Sequence, residues 1–126
     1  MTAQKMAGPE VEGHPAAVNE VQLVGRLGDD PQLRELPSGD SLWSLRVVVE
    51  RPVPPVGERS RQRVDALECT VWSGRLKKQV ARWSAGDVVE VSGALRRRFF
   101  RAAGATASRV EVELTAGRII RRARSE

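Results

Sequence analysis

The sequence predicts an all-β domain with one short helix, and two patterns carry this prediction. Apolar and polar residues alternate in five separate segments, which is the period of a strand with one buried face. Between the third and fourth segments, apolar residues recur at helical spacing instead. A chain of 126 residues is long enough for one core and too short for two domains of ordinary size. We therefore expect a single domain.

The first two segments predict a pair of antiparallel strands. Residues 21–27 and 41–51 each place alternate apolar side chains on one side, and Trp43 belongs to the inward set of the second. Glycine, proline, serine and aspartate residues between them favour bends, which predicts a short connection. Arg26 and Arg46 fall on the outward parity of their strands.

The third segment, 64–72, places Cys69 on the inward parity and Trp72 on the outward one. An exposed tryptophan has two explanations here: it stacks on a nucleic-acid base, or it is buried against a partner subunit. A short amphipathic helix is predicted next, with Ser73 as its N-cap and Gly86 as its stop.

The fourth segment, 88–101, has two different faces. Arg96, Arg98 and Phe100 share the outward face, which suits phosphate contacts and base stacking. The alternative is that arginines on an edge strand only discourage aggregation. Small residues over 102–108 are expected to turn the chain into the fifth segment, 109–115. The apolar faces of these two segments consist of Val89, Val91, Leu95 and Phe99, and of Val110, Val112 and Leu114.

Positive charge exceeds negative charge, with 21 Lys and Arg against 16 Asp and Glu and a net charge of +5. Most of these cations are arginines, whose planar guanidinium groups bind phosphate and stack on bases. A proline-containing loop at 52–63 carries Arg59, Arg61 and Arg63. This loop is either a solvated hairpin tip or a segment that closes over nucleic acid.

Little in the composition favours catalysis, a metal or a cofactor. Cys69 and His14 cannot form a structural zinc site, and the adjacent Asp29 and Asp30 point apart in a sequence that suits a turn. No run of about 18 apolar residues is present to span a membrane. Residues 1–18 lack the apolar core of a secretory signal and are expected to be a flexible N-terminal tail. We expect a cytoplasmic protein that is not an enzyme.

The order strand, strand, strand, helix, strand, strand is typical of the oligonucleotide-binding (OB) fold, a five-stranded Greek-key barrel with one helix. We assign this domain to residues 19–120. The remaining residues, 121–126, are expected to form a short basic C-terminal tail.

A dense set of positions in the opening stretch is characteristic of one family. These positions are Asn19, Val21, Leu23, Gly25, Leu27, Gly28, Asp30, Pro31, Arg34, Pro37, Ser38 and Gly39. The pattern resembles bacterial single-stranded DNA-binding proteins, and the resemblance continues through 74–76 at the helix start, 86–96 and 110–112. It implies sequence-independent binding of single-stranded DNA in replication, repair and recombination, by a nucleoid-associated homotetramer.

The resemblance also indicates where this chain departs from the family. Of the family's four base-stacking aromatic positions, two are kept, at Trp72 and Phe100, while the others fall on Ala66 and near Val53. Extra arginines are expected to offset part of this loss and to make binding more salt-dependent. The predicted DNA contacts are Trp72, Phe100, Arg96, Arg98, Arg46, Arg26, Arg75, Arg59, Arg61 and Arg63. The family usually ends in an acidic tip that recruits repair enzymes, and residues 121–126 do not predict such recruitment.

Two other classes of function are alternatives to DNA binding. An OB-fold module that mainly contacts protein, as in primosome-type assemblies, would use Trp72 and Phe100 as partner contacts and bind nucleic acid weakly. An enzyme would need clustered carboxylates with a metal, or a nucleophile with a base, and the scattered acids and single histidine do not provide either.

Overall fold

The computed structural model describes residues 16–53, 61–72 and 74–124. Within these residues the chain forms six strands and one helix. In chain order they are β1 (Val21–Leu27), β2 (Gln32–Glu35), β3 (Ser41–Glu50), β4 (Val64–Val71), α1 (Arg75–Val80), β5 (Val88–Ala102) and β6 (Ala105–Arg121).

Five of the strands close into a barrel. β1 pairs antiparallel with both β3 and β5, β5 pairs with β6, β6 runs parallel to β4, and β4 returns to β3. The predicted five-stranded barrel with one short helix is confirmed. The sixth strand, β2, pairs only with β3 at the edge of the sheet and lies in what was predicted to be a turn connection.

The core is built from the inward parity of the strands, as the alternation predicts. Val47, Val71, Val89 and Val91 are at most 1% exposed, and Cys69 is fully buried. Trp43 is partly buried and packs against this cluster, so its predicted inward orientation is confirmed. Together the buried side chains explain why the strands adopt this register, because a slip by one residue would turn each apolar set outward.

The helix is shorter than predicted. Its N-cap is Gly74, no side chain caps it, and the predicted N-cap, Ser73, lies outside the described residues. It ends at Val80, well before Gly86, and Trp83 follows it in a turn yet is only 6% exposed. Burial of this large ring, rather than capping, therefore fixes the segment against the barrel.

The turn after β5 is much tighter than predicted. Ala103 and Gly104 both have positive φ, at 51° and 80°, and they alone join the two strands. Two such residues form the type of turn whose twist matches that of a β-hairpin. The expectation of a turn over 102–108 is wrong, because β6 already begins at Ala105.

The outer half of the β5–β6 hairpin leaves the barrel. Leu95 and Phe99 share the parity of the buried Val91, yet they are 46% and 69% exposed, and Val110 opposite them is 47% exposed. The predicted inward position of these three residues is therefore wrong. For Phe99 and Val110 the reason is that the described parts of the chain pair no third strand with the hairpin beyond Leu95 and Val112.

A close backbone approach occurs where the hairpin meets the barrel. A β-carbon at Gly93 would lie 1.9 Å from the carbonyl oxygen of Glu113. The β5–β6 register also shifts between Ser92 and Gly93. Glycine therefore allows the two strands to pack closely at an irregular step in the ladder.

Candidate nucleic-acid interface

A groove of 330 Å³ lies on the outer face of the sheet, and five strands or their ends contribute to it. Its lining residues are Arg34, Leu36, Leu42, Ser44, Thr70, Trp72, Arg98, Phe100, Arg109 and Glu111. Strand register brings them together: Ser44 lies opposite Thr70, and Arg98 lies opposite Arg109. The groove thus collects the outward parity of neighbouring strands.

Each of the two predicted stacking residues carries an arginine over its ring. The guanidinium carbon of Arg98 lies 5.0 Å from the ring centroid of Trp72, and that of Arg109 lies 5.7 Å from the ring of Phe100. Both distances are within the range of a cation–π contact. Phe100 is 43% exposed and Trp72 is partly buried. The groove therefore has aromatic and cationic surfaces side by side, the combination that binds a base and its phosphate.

The indole N–H of Trp72 is buried and has no hydrogen-bond acceptor among the described residues. A buried N–H without a partner costs free energy, on the order of 1–3 kcal/mol. Trp72 lines the groove together with Thr70 and Glu111.

The carboxylate of Glu111 binds several of the side chains that line the groove. This carboxylate is only 3% exposed, and it accepts hydrogen bonds from the hydroxyl of Thr70 at 2.9 Å and from Nε of Arg98 at 3.1 Å. Nε of Arg109 lies 3.5 Å from its other oxygen. A buried carboxylate is stable only when it is paired in this way. The same contacts hold the guanidinium groups of Arg98 and Arg109 near the two aromatic rings. The sequence prediction missed Glu111 and Arg109, although both lie on the outward parity of β6, on either side of the apolar residue Val110.

Several arginines that were predicted to contact phosphate already have carboxylate partners. Glu113 accepts from Nε of Arg96 and from a terminal nitrogen of Arg98, each at 3.1 Å. Nε of Arg46 donates to Glu68 at 2.9 Å, and Asp29 lies 3.7 Å from another nitrogen of the same group. The hydrogen bond to Glu68 is the largest cause of the raised pKa of Arg46, followed by the charge of Glu68.

A second, smaller groove of 100 Å³ adjoins the first. Its lining residues are Asp29, Asp30, Gln32, Arg34, Ser44, Leu45, Arg46 and Glu68. Arg34 and Ser44 line both grooves, so the two adjoin each other. The predicted residue Arg46 therefore lies in a groove next to the one that holds Trp72 and Phe100.

Comparison with known proteins identifies the family of this fold and groove. The model of the single-strand binding protein family matches residues 18–120. The chain belongs to this family. The predicted resemblance is therefore confirmed, over almost the whole of the described barrel.

Individual members of the family give the same result. A single-stranded DNA-binding protein of Oceanobacillus iheyensis is 30% identical over 83 residues, which is 66% of this chain and 50% of that protein. Single-stranded DNA-binding protein 3 of Clostridium acetobutylicum is 30% identical over 90 residues, or 71% and 60%. The chain thus spans about half the length of the first of these relatives. A structure described as a Plasmodium falciparum SSB complex with ssDNA has a TM-score of 0.68 at 20% identity, covers 84% of this chain and 96% of its own, and shows the same fold.

The other predicted contact residues that the structure describes lie outside the two grooves. Arg26 is exposed on β1, and Arg75 is exposed at the first residue of α1. Arg61 and Arg63 are exposed before β4, while Arg59 lies outside the described residues. The structure therefore joins Trp72, Phe100 and Arg98 in one groove, with Arg96 beside them through Glu113, and it does not bring the four exposed arginines named above into either groove.

The described residues contain no group of three or more His, Cys, Asp or Glu side chains that is arranged to hold a metal ion. Cys69 is fully buried, and burial raises the pKa of its thiol to about 12. A thiol of this kind stays protonated at neutral pH and is a poor nucleophile. In the same parts of the chain, no helix has the length and apolar character needed to cross a membrane.

Proposed function

We propose that this chain binds single-stranded DNA without sequence preference, through the two adjoining grooves on the outer face of its barrel. The observation that carries the proposal is the paired arrangement of Trp72 under Arg98 and Phe100 beside Arg109. Aromatic rings accept any base, because every base has a π-face, and guanidinium groups bind phosphate of any sequence. Residues 19–120 are the proposed binding domain.

Base stacking supplies most of the proposed binding energy in the groove. A stacked base is worth about 1–3 kcal/mol, while an exposed ion pair is worth about 0–1 kcal/mol. Arg98 covers Trp72, so a base enters by displacing this guanidinium or by stacking on its outer plane. Either route leaves the guanidinium close to the phosphate backbone.

The remaining predicted residues form an outer set in this proposal. Arg96 and Arg46 contact phosphate by exchanging a carboxylate partner for a phosphate oxygen. The other members, which lie outside the grooves or outside the described residues, act through long-range attraction; they are Arg26, Arg59, Arg61, Arg63 and Arg75.

A fluorescence titration tests the proposal. Oligothymidine should quench the emission of the protein, while the matching duplex should not, and Trp72→Ala should lose most of the quenching and of the affinity. Trp43→Phe is the matched control, because Trp43 packs inward against the core and should not contact DNA. An equal response to duplex, or undiminished quenching in Trp72→Ala, would contradict the proposal.

The cellular setting and assembly are also proposed on the strength of family membership. A homotetramer is consistent with Val24, which is 50% exposed on the outward parity of β1. Light scattering coupled to gel filtration measures this state directly. We place the protein in the cytoplasm on the nucleoid, as a binding protein rather than an enzyme, acting in replication, repair or recombination. Tight association with another protein, together with weak DNA binding, would support the protein-contact module instead.

A further inference from the structure

The β5–β6 hairpin presents two faces of different chemistry. Beyond the barrel its strands pair with each other, so directly opposite residues share a face. One face, the groove face, carries Arg96, Arg98 and Phe100, and the last two of these line the groove. The reverse face carries Leu95, Arg97, Phe99 and Arg101 from β5, opposite Val112, Val110, Ser108 and Thr106 from β6.

Carboxylates are confined to the groove face. Glu111 and Glu113 are the acidic residues of the hairpin beyond Gly93, and both pair with groove-face arginines. On the reverse face, Arg97 donates a hydrogen bond to the hydroxyl of Ser108 at 3.1 Å, which leaves its charge uncompensated. Arg101 is exposed and has no partner among the described residues. The reverse face is therefore the more electropositive one.

Phe99 lies between these two arginines. At 69% exposure it is the most exposed aromatic residue in the described parts of the chain, and Leu95 and Val110 extend its apolar surface. Side chains two residues apart on a strand are about 6.6 Å apart, so a guanidinium lies within reach on either side of the ring. An exposed ring flanked by uncompensated guanidinium groups has the chemistry that binds a base together with its neighbouring phosphates.

We propose that this reverse face is a second contact surface for single-stranded DNA, centred on Phe99, Arg97 and Arg101. The proposal rests on the proposed function of the groove. The hairpin tip, 102–105, contains only alanine and glycine. A strand that leaves the groove beside Phe100 can therefore pass over this narrow tip and reach Phe99 on the other side.

A second copy of the chain is a less suitable occupant of the same surface. A two-fold contact would place the same patch on both subunits. Arg97 and Arg101 of each subunit would then face the same two arginines of the other subunit. The reverse face of the hairpin has no carboxylate to compensate these charges. Burying like charges together is unfavourable, whereas the phosphates of DNA neutralise them.

Oligonucleotide length separates the two surfaces experimentally. Anisotropy titrations use two labelled oligothymidines. The short strand has about 8 nucleotides, which is within the span of one OB fold, and the long strand has more than about 16 nucleotides. Phe99→Ala should bind the short strand like wild type and lose affinity for the long strand by about 5- to 150-fold, the equivalent of one stacked base. Ile120→Ala is the control, because Ile120 is also an exposed apolar residue, at 46%, but lies at the other end of β6 and should change neither affinity.

The two arginines of the reverse face allow a second measurement, the dependence of binding on salt. Arg97→Gln combined with Arg101→Gln should lower the salt slope for the long strand by about 1.4, since each phosphate contact on a single strand contributes about 0.7. Unchanged binding of the long strand by Phe99→Ala would overturn the proposal, as would a change in oligomeric state that accounts for the loss. If wild type binds neither strand, the proposed function itself fails. If wild type binds both strands and Trp72→Ala weakens both while Phe99→Ala weakens neither, only the second surface fails.

Discussion

Replacing Glu113 with glutamine is expected to tighten the binding of single-stranded DNA and to make it more dependent on salt. The carboxylate of Glu113 holds Arg96 and Arg98, each at 3.1 Å, and is 28% exposed. It therefore competes with phosphate for the same guanidinium groups. Glutamine keeps the size and one acceptor oxygen of the side chain but removes the charge that competes.

The expected size of the effect follows from the contacts. Arg98 remains held by Glu111 at 3.1 Å, so only Arg96 is fully released by the change at Glu113. One additional phosphate contact steepens the slope of log K against log salt by about 0.7 for a single strand. Since an exposed ion pair is worth at most about 1 kcal/mol, the gain in affinity at low salt is at most about fivefold. This gain should shrink as the salt concentration rises.

The assay is the anisotropy of a labelled oligothymidine, titrated at several salt concentrations. Glu90→Gln is the matched control, because Glu90 is also 28% exposed, pairs with Arg118 at 2.7 Å and lies outside both grooves. Both variants change the net charge equally. An identical slope in the two variants would show that net charge alone acts. Weaker binding by Glu113→Gln would show that the carboxylate positions the arginines instead of competing for them.

Two further predictions concern the stability of the barrel. Gly93→Ala should lower the free energy of unfolding by about 1–3 kcal/mol, because its β-carbon would meet the carbonyl oxygen of Glu113 at 1.9 Å; an unchanged midpoint in urea would contradict this. Cys69 should react slowly with a thiol reagent in the native protein and rapidly in denaturant, because burial raises its pKa from 9.0 to about 12. Between pH 9.0 and 12 the folded protein keeps the thiol proton that the unfolded chain loses. The contribution of Cys69 to stability is therefore complete below pH 9.0 and decreases as pH rises towards 12. Equal rates of labelling in the native and denatured states would refute the burial of this thiol.

Alternation in the sequence was sufficient to predict the barrel and most of its core. Val47, Val71 and Val89 are buried because each lies on the apolar side of a strand, and that side can be identified without a structure. The short strand β2 could not be found in this way. All four of its residues are exposed, so no burial pattern distinguishes it from a turn, and only its pairing with β3 defines it.

The same alternation was misleading at Phe99. Parity shows which residues share a side, but it does not show whether another element covers that side. Val91 and Phe99 have the same parity, and one is buried while the other is 69% exposed, because the second lies beyond the end of the neighbouring strands. The length of the hairpin, which decides this difference, depends on a turn of two residues that was expected to be longer.

Prediction of the site residues from the sequence was limited in a similar way. The number of arginines does not show which of them are available to bind phosphate. Arg96, Arg98 and Arg46 are on the expected face, yet each lies beside a carboxylate that only the strand register brings close. Charge on the groove face is thus largely compensated, and the uncompensated charge of the hairpin lies on its reverse face. It follows that stacking and salt dependence should be separable in this protein. Loss of the Trp72 ring should lower affinity with little change in the salt slope, whereas loss of the reverse-face guanidinium groups should change mainly the slope.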